Sequence, residues 1–288
     1  MIRQKSFQNN NRTLFLVPTP IGNLNEMSPR ALEVLQSVDV IACEDTRNSG
    51  QMLKHFGISK RLIAYQNFNE ESSSEGIVNL LSQGNNVALI SDAGYPLISD
   101  PGQRVVMRAA EEGFNVVPVS GCSAVLNALV ASGLVAQPFL FIGFLPSSSN
   151  ECRKKLAEYK NYPMTMVFYE APHRIEKMMS NCLQVLGDRK CCIARELTKV
   201  HEEFLRGTIS ELIPELEGIR GEMVVVMDGY HEDPKDSITD EDILNLVNRL
   251  EEEGFSASRA VKEAAVRTGL SKNKIYDLVN RRNMETEE

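Results

Sequence analysis

The stretch LFLVPTPIGNLNEMSPRALEVLQSVDVIAC, positions 14–43, decides the fold. Residues 14–17 are a short apolar run, stopped by the turn Pro18-Thr19-Pro20. Ser28 then stands where a helix N-cap belongs, with Pro29 at the first helical position. Leu32, Leu35 and Val38 follow at helical spacing and give that helix a buried stripe. Residues 38–43 read as a second strand. Strand, helix and strand in such close succession are the unit of a largely parallel sheet covered by helices.

Working outward, the unit repeats. Residues 87–90 and 115–119 read as strands, and 124–134 as a short apolar helix. Asp100-Pro101 looks like another N-cap with proline behind it. A fresh apolar strand begins at 139–144, and the alternation restarts with strands at 164–169, 191–194 and 223–227. Helices are expected at 172–186 and 209–216. The expectation is an α/β protein with mixed or parallel sheets: a flexible polar tail (1–13), an N-terminal lobe (14–136) and a C-terminal lobe (137–230). A cleft between the lobes is a common place for a small-molecule site. Residues 231–288 read as a charged linker and a small helical unit. Thr239 or Asp240 caps a helix carrying Ile243, Leu246, Val247 and Leu250, which Gly254 ends. Helices at 258–268 and 271–281 then flank Gly269. Helix-turn-helix geometry with basic residues fits a nucleic-acid-binding appendage; a charged helical cap with solvated faces fits as well.

With 42% hydrophobic and 24% charged residues among 288, the chain has material for a packed core and is not a disordered type. No apolar run approaches the roughly 20 residues of a membrane span, and residues 1–13 lack the apolar stretch of a secretory signal. The six cysteines form no C-x-x-C pair and read as reduced structural thiols in a reducing compartment. A cytoplasmic enzyme is expected. The net charge of −8 counts against indiscriminate nucleic-acid binding. It is uneven, however: acids dominate residues 232–253, whereas Arg259, Lys262, Arg267, Lys272, Lys274, Arg281 and Arg282 make the end basic.

Three turns are candidates for holding a ligand. VPTPIGNL (17–24) is rigid through its prolines and lacks the G-x-G-x-x-G pattern of dinucleotide sites. SDAGYPLISDPG (91–102) leaves a strand for a helix, where open α/β sheets bind ligands. Asp92 is read there as a ligand carboxylate, Gly94 as room for the ligand, and Asp100 as a plain helix cap. VSGCSA (119–124) offers a helix N-terminus with free N–H groups. Three polar clusters also sit just past strands: Glu44-Asp-Thr-Arg47, Tyr169-Glu-Ala-Pro-His-Arg174 and the run from Arg195 to Glu203. Charged groups rarely stand at strand ends merely to fill a core, although ion pairs between lobes are the plainer reading. His173 gains interest as a catalyst from Arg174 and Glu170 beside it.

At these residues the sequence resembles the ribosomal RNA small subunit methyltransferase I family, a branch of the tetrapyrrole (corrin/porphyrin) methylase superfamily. The resemblance runs from about Leu14 to Gly229. It includes the TPIGNL turn, Glu44-Asp-Thr-Arg47, SDAG with ISDPG, Gly143-Phe-Leu-Pro146, Phe168-Tyr-Glu-Ala-Pro-His-Arg174, Arg195-Glu-Leu-Thr-Lys199 and Glu202-Glu-Phe-Leu-Arg-Gly207. It implies a two-lobed fold, usually a homodimer, holding S-adenosylmethionine between the lobes, and 2′-O-methylation of a cytidine ribose in the decoding region of 16S rRNA in the small ribosomal subunit. Carried over residue by residue, it implies cofactor contacts from Ile21, Asp92, Gly94, Tyr95, Ser123 and Ala124, with Phe168 and Glu196 from the second lobe. The family often has proline-glycine where this chain has Ser120-Gly121, and a smaller residue where Tyr95 could crowd the pocket.

Methyl transfer is an in-line displacement that needs nucleophile and methyl held roughly 3 Å apart. A ribose hydroxyl gains from a base and from cations beside its developing charge. Glu44, Asp45, Glu170 or Glu196 is expected to take the proton, and Arg47, Arg174 or Lys199 to steady phosphate or oxygen. No metal is called for. The alternatives are a methylase of the same superfamily acting on a tetrapyrrole or a protein side chain, and a non-catalytic ribosome-assembly factor.

Overall fold

The computed structural model describes residues 1–6, 8–66, 70–231 and 238–285, with side chains as far as Arg282. Two compact units divide at Gly229. The first contains two five-stranded sheets.

The first sheet is wholly parallel. Strands β1 (Thr13–Val17), β2 (Val40–Cys43), β3 (Arg61–Ala64), β4 (Val87–Ile90) and β5 (Asn115–Pro118) lie in the order β3-β2-β4-β1-β5. Parallel neighbours require crossovers. These are supplied by α1 (Pro29–Ser37), α2 (Thr46–His55), α3 (Glu70–Ser82) and α4 (Gln103–Glu111). The opening stretch folds as its residues dictate: Ser28 accepts the Ala31 N–H at 3.1 Å, and Pro29 starts α1. The central strands β2 and β4 are buried at every residue. Leu35, Ile41 and Ile90 lie in one apolar cluster, and Leu14, Ile77 and Leu89 in another. Polar side chains of the tail reach β5, where Gln4 exchanges hydrogen bonds of 2.9 Å with both backbone groups of Val116.

The second sheet is mixed. Strands β6 (Phe139–Phe144), β7 (Thr165–Glu170), β8 (Lys190–Arg195), β9 (Glu203–Thr208) and β10 (Met223–Met227) run in the order β6-β7-β10-β8-β9. Only β6 and β7 are parallel; β10 lies antiparallel to both neighbours, and β9 to β8. Helices α6 (Ser149–Glu158) and α7 (Ile175–Leu186) cover one face, over Met166, Phe168, Val225 and Met227. The other face presents Val167, Ala194, Val224 and Val226 to the apolar stripe of α5 (Ala124–Ala131), namely Val125, Ala128 and Leu129. That shared cluster joins the two sheets. A short helix, α8 (Ile209–Leu212), leads into a 3-10 turn over 213–216. Five of the six cysteines are buried free thiols, and Cys122 is half-buried. No helix among the described residues is long and apolar enough to cross a membrane.

The second unit is a three-helix body, α9 (Asp240–Glu252), α10 (Ala257–Thr268) and α11 (Lys272–Glu285), around Ile243, Val247, Ala264, Ile275 and Val279. Thr239 caps α9 in a reciprocal box with Asp242, and Gly269, in the left-handed conformation at φ 68°, ends α10. The linker expected from residue 231 lies mostly outside the described residues.

Candidate active site

The carboxyl ends of β1 and β4 are fastened to each other by backbone. Thr19 and Gly94 exchange two hydrogen bonds of 2.9 Å, and Thr19 Oγ1 donates to the Ser91 carbonyl at 3.0 Å. Gly94 sits at φ 75°, while a Cβ there would meet Ile21 only at ordinary contact distance. Conformation, more than room for a ligand, requires this glycine. The turn after β5 closes the ring: Gly121 donates its N–H to the Tyr95 hydroxyl at 3.0 Å. A Cβ on Gly121 would fall 2.5 Å from Pro18 Cγ, so only glycine lets these turns approach. Tyr95 lines the cavity and also bonds the two turns together. Ser123 caps α5 by accepting the Leu126 N–H at 3.3 Å.

These turns form one wall of a cavity of about 380 Å³. Ile21, Asp92, Gly94, Tyr95, Ser123 and Ala124 line it from the first sheet, and Glu170, Glu196 and Lys199 from the second. Four non-glycine residues adopt positive φ in the two loops around it: Leu97 (72°), Ser99 (69°), Glu196 (50°) and Thr198 (68°). Such strain collects where the surroundings over-determine a local shape, often at functional sites.

Glu170 ends β7 and is 2% exposed. Its Oε1 accepts the Ala171 N–H at 2.9 Å and lies 3.2 Å from Arg174 Nε. Its Oε2 is buried without a hydrogen-bond partner among the described residues. Burial pushes its pKa up, against the pull of Ala171 N–H and Arg174. Glu196 is the opposite case: Lys199 Nζ, at 2.9 Å, holds its carboxyl below the usual range. Gly221 leaves the space that the Glu196 carboxylate fills.

The remaining expected residues lie elsewhere. Phe168 is wholly buried under α6 and α7, on the face of β7 away from the cavity; its neighbour Tyr169 faces the cavity instead. Asp45 caps α2 by accepting the Arg47 N–H at 2.7 Å, and Arg47 is almost fully exposed. Glu44 and His173 are not among the lining residues, and His173 is exposed. Arg174 braces the wall from behind, donating to the Leu145 carbonyl at 2.7 Å.

Asp100 corrects the sequence reading. It does not cap α4, whose N-cap is Gly102 at φ 144°. It lines the cavity, and burial, followed by repulsion from Glu44 and Asp92, pushes its pKa up to about 6. Tyr169 is raised to about 12, chiefly by burial, then by Asp100 and Glu222. Its ring packs edge-on to Phe141 at 5.0 Å and tilted to Phe144 at 5.5 Å. The alternation of β7 could have separated Tyr169 from Phe168, had its phase been known.

This geometry can be set against known proteins. Residues 13–213 match the family described as Tetrapyrrole (Corrin/Porphyrin) Methylases. A Bacillus subtilis protein named Ribosomal RNA small subunit methyltransferase I is 43% identical over 96% of this chain and 97% of its own length. A Halalkalibacterium halodurans protein of the same name is 40% identical over 96% of the chain and 99% of its own length. The chain belongs to the ribosomal RNA small subunit methyltransferase I family. As a member of it, the chain is a methyltransferase. Two solved structures share the fold alone: diphthine synthase (TM-score 0.59, 16% identity, 75% of this chain and 90% of that one) and cobalt precorrin-4 methyltransferase, a cobalamin biosynthetic enzyme (0.55, 18%, 75% and 94%). Their coverage fits the extent of the two-sheet unit.

Proposed function

We propose that this methyltransferase moves a methyl group from S-adenosylmethionine to the 2′-hydroxyl of a cytidine ribose in small-subunit ribosomal RNA. The observation that carries the reading is the charge of the cavity. Among the described residues lining it are the carboxylates Asp92, Asp100, Glu170, Glu196 and Glu222 against the single ammonium of Lys199. Beside them stand the apolar walls Ile21, Ala124, Leu197 and Val224. A negative, partly apolar pocket favours a cationic ligand with a flat aromatic part. S-adenosylmethionine fits both demands and, when bound, supplies a methyl group made electrophilic by its sulfonium.

Asp92 and Asp100 face the positive charge. A cation beside Asp100 stabilises its charged form against the burial and the repulsion that raise its pKa, so binding and ionisation reinforce each other. Glu170 receives the hydroxyl proton, since its Oε2 has no partner to lose and burial favours the protonated form. Lys199 steadies the developing oxygen charge from the Glu196 side. Asp45 and Arg47 start α2 and do not line the cavity.

The names of the relatives support ribosomal RNA as substrate. The net charge of −8 supports a shaped target, the assembled small subunit, over free RNA, because an acidic protein gains little from phosphate contacts alone. The cytoplasm is where such a target is found. A homodimer is supported by the outer face of α5, where Leu126 and Val130 are 49% and 75% exposed. Val130→Glu should then shift the mass measured by light scattering from two chains to one.

Transfer of labelled methyl to small subunits lacking the modification, followed by mapping of the product, tests the reaction. Label on a ribose 2′-oxygen of one cytidine is expected. Label on a base, or none, removes the proposal.

A further inference from the structure

The helical unit has a charge division that the methyl-transfer reading does not use. Its first helix, α9, carries five acidic residues and one basic one; the stretch from Ala257 to Arg282 carries seven basic and two acidic. The turn between α10 and α11 is three residues long: Gly269 in the left-handed conformation, half-buried Leu270 against the core, and Ser271, which accepts the Lys274 N–H at 3.2 Å. This tight turn fixes α11 against α10, with Ile275 and Val279 inside.

The outward face of α11 is ordered by helix geometry. Asn273, Tyr276 and Asn280, three and four residues apart, share one stripe. Tyr276 is 54% exposed, so its ring is open to a stacking partner. Lys272 borders the stripe on one side; on the other comes Asp277 and then Lys274 and Arg281, and all four are exposed. Hydrogen-bonding amides and a stackable ring between cations match the needs of single-stranded or looped RNA. Its bases stack on aromatic side chains, and its phosphates seek lysine and arginine.

We infer that this face of α11 is an RNA-binding surface, with Lys272, Lys274 and Arg281 on phosphates and Tyr276 stacked on an unpaired base. The inference rests on the RNA-modifying reading for its choice of RNA over another polyanion. It also gives an acidic protein a local means of holding its substrate.

The test uses the full chain and a small-subunit rRNA transcript, with binding followed by fluorescence anisotropy from 50 to 200 mM salt. The triple variant Lys272→Gln/Lys274→Gln/Arg281→Gln should bind at least about tenfold more weakly. Its log K against log salt slope should be shallower by roughly 2, at about 0.7 per lost phosphate contact. Tyr276→Ala should weaken binding about tenfold with the slope unchanged. Asp277→Asn, which removes the acid from this face, should tighten binding, so the inference stays testable even if the triple variant misfolds. Cofactor affinity should not move in any of them.

Wild-type affinity and slope in the triple variant overturn the inference. Methyl transfer to RNA by wild type with an unaffected triple variant removes this inference alone. RNA binding through this face without any methyl transfer removes the functional proposal alone.

Discussion

The two walls of the cavity are built on different principles. The wall from the first sheet is held by backbone: the Thr19–Gly94 pair, the Gly121 N–H on Tyr95, and a Pro18–Gly121 approach that excludes any Cβ. The wall from the second sheet is held by charged side chains: Glu170 with Arg174, and Glu196 with Lys199, on strand ends and a strained loop. A backbone-built wall fixes shape, while a side-chain wall fixes charge and proton traffic. Disturbing the first should therefore alter cofactor binding and stability together. Disturbing the second should alter turnover.

The largest separation is expected from Glu170→Gln. Losing a general base typically costs about 10²–10⁴ in rate, and single-turnover methyl transfer should fall in that range with cofactor affinity nearly unchanged. An equal loss in affinity would mean that both walls serve binding. Gly121→Ala attacks the first wall. Its Cβ meets a proline ring that cannot swing away, an overpacking that costs roughly 1–3 kcal/mol. Calorimetry should show weaker cofactor binding, and the melting temperature should fall about 2–4 °C per kcal/mol.

Asp100 gives a smaller, pH-dependent effect. Its folded pKa, about 6, lies above the ordinary 3.8, so ionising it in the folded chain opposes folding. The cost is absent below about pH 4 and complete above pH 6. Asp100→Asn should thus raise the melting temperature at pH 8, by about 2–4 °C if the screened cost is ~1 kcal/mol, with no gain at pH 4. The smallest effect belongs to His173→Ala: this exposed side chain lies off the cavity, and methyl-transfer rates should stay within about twofold.

The same contrast explains what the sequence disclosed. Strands β1, β2, β4 and β5 are apolar runs beside turn residues, and Ser28-Pro29 announces α1, so the parallel sheet is legible. Edge strand β3 is missed because Arg61 and Ala64 are exposed and its pattern is weak. Strand β9 is missed because Glu203 and Arg206 interrupt it. The antiparallel course of β10 leaves no trace in periodicity, which is blind to direction. At the site, residues on glycine-proline turns could be located from their turns alone. Asp100 could not, because Asp-Pro before a helix is also the pattern of a cap; only the extra turn ending in Gly102 frees its carboxylate. Phe168 and Tyr169 differ by one step of a strand, and nothing local sets which of them faces inward.

The central claim is that the acidic cavity binds a cationic methyl donor. Titrating the full chain with S-adenosylmethionine calorimetrically, at several pH values across 6, tests it most directly. One bound molecule per chain is predicted, held more weakly as pH drops through 6, with Asp100→Asn weaker than wild type above pH 6, matching it below, and insensitive to pH. Saturation that is absent, or that ignores both pH and Asp100, would contradict it.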